Sequence, residues 1–347
     1  MKLGLFHLED GDRLLIVIHH LVIDGISWRI LFGDIETLYN QYKEGEGFDL
    51  PLKSDSFKSW SEKLSSYANS ESFLTEKSYW KKLESMSVAS IPKDFDNKDN
   101  IVKDIGILSF SLNKSDTKLL LSSVNNAFNT DINDILLTGL GLGIKKTFGN
   151  SQVLIALEGH GREEILEDMD IGRTIGWFTS LYPVILDISF GNDLGRQIKE
   201  VKEVLHQVPN KGIGYGILRY LTSNEHKLDI EFNFKPQISF NYLGQFDADL
   251  KQTSFYIARE SVGNMHSERM QMVYELDVSG IIERGRLRIL IAYNKKQFKS
   301  DTISKLIKSY ETELSKIISF CSQKQEKESI PSDFSYRGLA IEDVDGL

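Results

Sequence analysis

Cysteine is almost absent from these 347 residues. Cys321 stands alone, so no internal disulfide can form and no cysteine-based zinc site can be assembled. Proline is scarce, 6 in all, and 26 glycines is an ordinary number, which sets aside collagen-like and low-complexity classes. No apolar run approaches the roughly 18 residues that a bilayer-spanning helix needs. The opening MKLGLFHLED lacks the basic stretch and apolar run of a secretory leader, so none is expected. An excess of positive charge is missing too. Lys plus Arg number 41 against 50 Asp plus Glu, a formal charge of −9, which argues against a nucleic-acid binder and its basic face. What is present, with 41% apolar and 26% charged residues, is a globular chain long enough for one large domain or two lobes, suited to a reducing, cytoplasmic setting.

The apolar segments alternate between two periods. RLLIVI (13–18), bounded by Gly-Asp, reads as a strand buried on both faces. KLGLFHL before it is strand-like, and needs neighbours from elsewhere in the chain or from another chain. After Asp24-Gly25, the spacing of Leu31, Ile35, Leu38 and Tyr42 predicts a helix capped by Asp24 or Ser27. Residues 56–86 read as two helices anchored by Trp60 and Trp80, and 97–104 as a polar linker. GILSFSL (106–112), QVLIAL (152–157), WFTSLYPVILDI (177–188) and PQISFNYLG (236–244) read as strands. KSDTKLLLSSVNNAF, INDILLTGLGLGIKKTF, DLGRQIKEVKEVLHQV (193–208) and residues 301–320 read as helices. MVYELDVSGIIERGRLRILIAYN reads as a hairpin about Glu283-Arg284-Gly285. Strands alternating with helices, then a hairpin, make the class mixed α/β.

One stretch asks for a chemical explanation. In IVIHHLVIDGISW (16–28) an apolar run ends in His19 and His20, followed by Asp24-Gly25. Neighbours on a strand point opposite ways, so a strand end of this kind presents one imidazole. An imidazole takes and gives a proton near neutral pH. Glu158 closes the strand VLIAL just before GHG, where desolvation should raise its proton affinity. By itself it is also an ordinary loop glutamate, with the acidic run REEILEDMD close behind. A metal site from His19, His20 and Asp24 is disfavoured, because adjacent histidines diverge and no further His or Cys cluster completes it. Gly212, Gly214 and Gly216 in KGIGYG do not follow a clear strand, and no acidic ribose partner is placed for them. They are expected to let backbones approach closely rather than to cradle phosphate.

HHLVIDGISWRIL resembles the HHxxxDG signature of the condensation-domain superfamily of nonribosomal peptide synthetases. NDILLTGLGLG (133–143), LEGHGRE (157–163), RTIGWFTSLYPV (173–184), VPNKGIGYGILR (208–219) and SFNYLG (239–244) resemble, in order, later signatures of its epimerization branch. The resemblance implies two chloramphenicol-acetyltransferase-like lobes forming a V with a central channel. Family members carry a substantial stretch before the histidine motif, so the N-terminal lobe is expected to be incomplete here. Residues 1–100 would be its part, 101–321 the C-terminal lobe and 322–347 a tail or linker. The implied activity is inversion of the α-carbon of an aminoacyl or peptidyl thioester. The substrate would ride on the phosphopantetheine arm of an upstream peptidyl carrier protein, and the domain would need no cofactor of its own. His20 and Glu158 would handle the proton. His19, Asp24, Gly25, Arg162 and Arg173 would support the motif, with either arginine as partner of Asp24. Asn241, Tyr242 and Gly214 would position substrate or pantetheine. Two alternatives stay open: a condensing acyltransferase that forms an amide bond, and an inactive or split fragment that needs a chain supplying the missing lobe.

Overall fold

A hairpin opens the chain in the computed structural model, which describes residues 1–191, 193–245, 255–324, 326–334 and 341–344. Its strands, β1 (Lys2–Leu8) and β2 (Gly11–Val17), pair antiparallel from Lys2 with Val17 to Leu8 with Gly11. Among the described residues they form a sheet of two strands. Leu14 and Val17 are therefore 48% and 52% exposed, which corrects the expectation of a strand buried on both faces. Burial is conferred by neighbouring elements, and an apolar run does not carry it with itself.

Helix α1 (Gly25–Glu44) starts where the Asp24 side chain accepts the Ser27 N–H, and it ends at Gly45 with φ 71°. Residues 56–86 form three pieces where two helices are expected: α2 (Phe57–Tyr67), α3 (Glu71–Leu74) and α4 (Lys77–Glu84). The extra break is Ser70, whose hydroxyl accepts the Phe73 N–H and caps a fresh turn. Trp60 and Trp80 are both buried.

The remainder is built on a six-stranded sheet of β3 (Ile105–Ser111), β4 (Gln152–Gly159), β5 (Ser180–Asp187), β6 (Ile238–Gln245), β7 (Leu276–Glu283) and β8 (Arg286–Asn294). Its spatial order is β3-β8-β7-β6-β4-β5. The β4–β6 and β6–β7 pairs are parallel and the others antiparallel. The β7–β8 turn falls on Arg284 and Gly285, both at positive φ, the conformation a two-residue hairpin turn demands.

Five more helices carry α5 (Lys114–Leu120), α6 (Ser123–Phe128), α7 (Ile132–Phe148), α8 (Leu194–His206) and the single turn α9 (Ile213–Gly216), before the closing helix α10 (Ser300–Gln323). Asp131 starts α7 through a reciprocal capping box with Asp134. Helices α7 and α10 pack together closely: a Cβ on Gly143 would sit 3.0 Å from the backbone of Tyr310. Alternate sheet residues, among them Val153, Ile155, Leu157, Ile238, Phe240, Leu276, Val278, Ile289 and Ile291, join these helices in one apolar core. The residues between them, including Glu158, Asn241, Asp277 and Ser279, must point to the other face, which is polar. The sheet therefore has a helix-covered side and a polar side, and Glu158 and Asn241 lie on the polar side.

The polar 97–104 segment is fastened down: buried Asn100 donates to the carbonyls of Met272 and Tyr274 at 3.3 and 2.8 Å. Within 322–347, residues 325, 335–340 and 345–347 lie outside the described part. Ile330 is fully buried, and the Lys202 ammonium, itself 0% exposed, donates to Phe128 O at 3.0 Å and Asp333 Oδ1 at 2.7 Å. Among the described residues, no helix is long and apolar enough to cross a membrane. Removing one member of a buried ion pair costs about 3–5 kcal/mol. Lys202→Ala should accordingly lower the urea midpoint and open residues 326–334 to protease before the rest of the chain. Unchanged midpoint and cleavage would show that the pair does not hold this segment.

Candidate active site

The two histidines sit where β2 ends and a 3-10 turn, His20–Val22, begins. His19 turns its ring to the backbone, its Nδ1 accepting the Leu21 N–H at 3.1 Å. His20 is exposed and its ring lies against Trp177, centroids 5.2 Å apart and tilted by 54°. Behind this turn Ile23 is buried and anchors it to the body.

Glu158 is the seventh residue of β4. Leu157 pairs with Phe240 of β6, so Glu158 comes level with Asn241, whose Nδ2 donates to Glu158 Oε2 at 2.6 Å. Solvent reaches this carboxylate, but protein surrounds it on most sides. That crowding is the main cause of its raised proton affinity; the negative charge of Asp277 adds to it, and the charge of His20 opposes it. His20 and Glu158 thus lie within electrostatic reach of one another. Asp277 of β7 is level with Ser239 of β6, whose hydroxyl hydrogen-bonds its Oδ1 at 3.0 Å. Burial also pushes the Asp277 carboxyl up, partly relieved by Ser239. Nearby Tyr274 is pushed up to about 12 by burial and by both carboxylates.

A buried clamp ties the histidine turn to the segment that follows β4. Arg162 and Asp24 have side chains only 6% and 4% exposed, with Nη2 at 3.3 Å from Oδ1. Asp24 Oδ1 also accepts the Ser27 N–H, and Oδ2 accepts the Phe178 N–H at 3.1 Å. Arg162 donates further to the carbonyls of Ile171 and Thr174, to the Ser27 hydroxyl, and lies 4.0 Å above the Phe178 ring. Ser27 Oγ in turn donates to Gly176 O and accepts its N–H. Residues 176 and 178 are therefore both pinned to the start of α1, which leaves Trp177 between them facing His20. Burial would raise the Asp24 carboxyl, but the hydrogen bonds from Ser27 and Phe178 and the Arg162 charge hold it below the ordinary 3.8. Its contribution to stability is complete above the ordinary carboxylate range and is lost as pH falls through this lowered value. Gly161 permits the approach: its φ is +67°, and a Cβ there would lie 1.7 Å from Phe178 O.

The contacts of the expected supporting residues are also defined. Asp24 pairs with Arg162, whereas Arg173 reaches across to Asp34 of α1 at 2.6 Å. Gly25 is not demanded by its turn: its φ is not positive and a Cβ would meet nothing within 4 Å. Gly214 packs against a buried neighbour, since a Cβ there would come within 2.0 Å of Glu76 Oε2. Tyr242 is half-buried beside Gly280, and burial pushes its hydroxyl up to about 12. His160 braces the loop by accepting the Arg162 N–H at 3.0 Å. Trp177, Tyr274 and Asp277 were not among the residues singled out in the sequence, and Ser27 stood there only as a candidate helix cap. Asp277 had a signal: in LDVSGIIE it is a charged residue within the strand's outward alternation, shared with Ser279 and Glu283. A grouping with metal-ligand spacing, Asp131, Asp134 and His206, lies at the start of α7, where the Asp134 carboxylate already serves the capping box and His206.

The clamp predicts a contrast. Asp24→Asn breaks a buried pair and should cost about 3–5 kcal/mol. Arg173→Gln breaks a partly exposed one, with side chains 37% and 24% exposed, and should cost about 0–1 kcal/mol. Urea unfolding of both variants tests this; equal midpoints would remove the clamp from its supporting role.

Comparison with known proteins places this geometry. Residues 1–340 match the Condensation domain family. The chain is 47% identical to gramicidin S synthase 1 of Brevibacillus brevis over 356 residues, covering 100% of this chain and 32% of that protein. It is 45% identical to surfactin synthase subunit 1 of Bacillus subtilis, covering 100% of this chain and 10% of that one. The chain thus spans a third or less of the length of these relatives. Among solved structures, it superimposes on the epimerization domain from the third module of tyrocidine synthetase B with a TM-score of 0.87 and 44% identity. That match covers 93% of this chain and 72% of the other. With the family matched across nearly its full length and its mixed α/β architecture shared, the chain belongs to the condensation-domain family of nonribosomal peptide synthetases.

Proposed function

We propose that this chain epimerises the α-carbon of an aminoacyl or peptidyl thioester tethered to the phosphopantetheine arm of a peptidyl carrier protein. The observation that carries the proposal is Glu158, in EGHGR, exposed at the end of β4 with the charge of His20 acting on it. The order of the epimerization-branch signatures and the 44% identity to a tyrocidine synthetase epimerization domain support it.

The reaction needs a base for the α-proton, a polar neighbour for the enolate oxygen, and an acid that returns a proton to the opposite face. One of His20 and Glu158 accepts the α-proton from the C–H bond, whose electrons pass into the enolate. The other delivers a proton to the far face of the same carbon, so atoms and charge balance without another reactant. Crowding around Glu158 raises its proton affinity above the ordinary 4.5, which brings the carboxyl closer to that of an imidazole. Asn241 holds Glu158 in place, whereas Tyr242 follows on the core-facing alternation of β6 and packs against the apolar core. The Asp24–Arg162 clamp acts through His20 and Trp177, as support.

General acid–base groups contribute about 10²–10⁴-fold each. Glu158→Gln and His20→Gln should each reduce deuterium wash-in at the α-carbon of a carrier-bound aminoacyl thioester by that order. Because Glu158 is raised, the acid limb of the wild-type rate profile should lie above the ordinary glutamate value. Full exchange in Glu158→Gln would remove it from the reaction. The family match keeps a second reaction in view, amide formation between two carrier-bound substrates. It needs His20 but gives Glu158 no task. Donor and acceptor thioesters supplied together, with dipeptide as readout, decide between the two.

A further inference from the structure

Asp277 lies on the chemical face of the sheet without a stated task. It neighbours Ser239, one strand from β4, and it acts on Glu158 through its charge. Two strand spacings and two residues separate the backbones of Asp277 and Glu158, about 12 Å by ordinary sheet dimensions. Two side chains with one small group between them span such a gap. Neither carboxylate has a lysine or arginine partner among the described residues: their side-chain contacts are the Ser239 hydroxyl and the Asn241 amide. The same face offers small or neutral groups around them, Ala156, Ser239, Asn241 and Ser279. The charge of His20 acts on Glu158, whereas the Asp277 carboxylate, with the Ser239 hydroxyl as its hydrogen-bond partner, is complementary to a cation brought by a ligand.

We infer that Asp277 is a specificity-determining residue that seats the free α-ammonium group of a one-residue aminoacyl thioester. This deepens the epimerase reading and rests on it. The nitrogen of such a substrate is bonded to the very carbon that Glu158 addresses, so a carboxylate flanking Glu158 is where a charge on that nitrogen finds its partner. A peptidyl substrate carries an uncharged amide there and gains nothing from Asp277. Held on Asp277, the ammonium stays protonated and withdraws electrons from the α-carbon, which favours loss of the α-proton. The charge-assisted hydrogen bond thus discriminates between substrates and also assists the step.

The test is equilibrium binding, which is independent of turnover. The probes are hydrolysis-resistant amide analogues of alanyl- and phenylalanyl-pantetheine, each with a free amine or an acetylated one. A charge-assisted contact predicts about tenfold tighter binding of the free-amine form to the wild-type chain. Asp277→Asn should bring the two forms within about twofold, and Asp277→Glu, which keeps the charge, should recover part of the difference. No preference in the wild type, or a preference that survives in Asp277→Asn, overturns the inference. α-Proton exchange on the wild-type chain is read separately. Absent exchange with the preference intact would count against the epimerase reading and leave the ammonium seat standing.

Discussion

The buried pairing of Asp24 with Arg162 is the constraint on which the site depends. These residues are 138 positions apart in the chain, and their contact, with the Ser27–Gly176 hydrogen bonds beside it, fixes two loops against each other. One bears His20 at the end of a largely exposed hairpin, and the other leaves Glu158 and carries Trp177. Burying two charges is expensive, and the cost is offset only when each lone pair and donor finds a partner. That condition is nearly met here. Both oxygens of Asp24 accept backbone N–H groups as well as the guanidinium, and Arg162 donates to two carbonyls and the Ser27 hydroxyl. A clamp of this kind specifies one geometry more than it adds stability. Its aromatic cover, Phe178 against Trp60 at 4.8 Å, extends the same joint into helix α2.

The sheet supplies the second half of the site by simple alternation. Odd positions of β4 and even positions of β6 and β7 enter the core, so Glu158, Asn241 and Asp277 must emerge on the other side. Parallel pairing of β4, β6 and β7 brings these residues, far apart in sequence, into one patch. Crowding then raises both carboxylates, against the opposing charge of His20 at Glu158. The electrostatic character of the cleft is thus a consequence of register, and of which residue types occupy the outward positions.

Much of this was legible in the sequence, for identifiable reasons. Strand alternation in GILSFSL, the apolar run of QVLIAL and the Arg284-Gly285 turn are local signals, and each marked its element. Glu158 stood out through the resemblance of EGHGR to an epimerization-branch signature, since its place at a strand end alone is that of an ordinary loop glutamate. What failed to show was set by distant neighbours. RLLIVI has the composition of an interior strand, yet its burial depends on strands beside it. The choice between Arg162 and Arg173 as partner of Asp24 depends on a loop path that Gly161 makes possible. Gly25 looked like a turn requirement because Asp-Gly pairs often are, but here it is the first residue of a helix with ordinary φ. Trp177 was visible only as part of a strand-like run, and its role follows from the clamp on either side of it.

The central claim is that the charge of the His20 imidazole acts on the Glu158 carboxylate. Its most direct measurement is a carbon-13 titration of the Glu158 carboxyl in the wild-type chain and in His20→Gln. The structure predicts a midpoint above the ordinary 4.5 in the wild type, moving higher when the opposing charge of His20 is removed. An ordinary midpoint that is the same in both chains would contradict it.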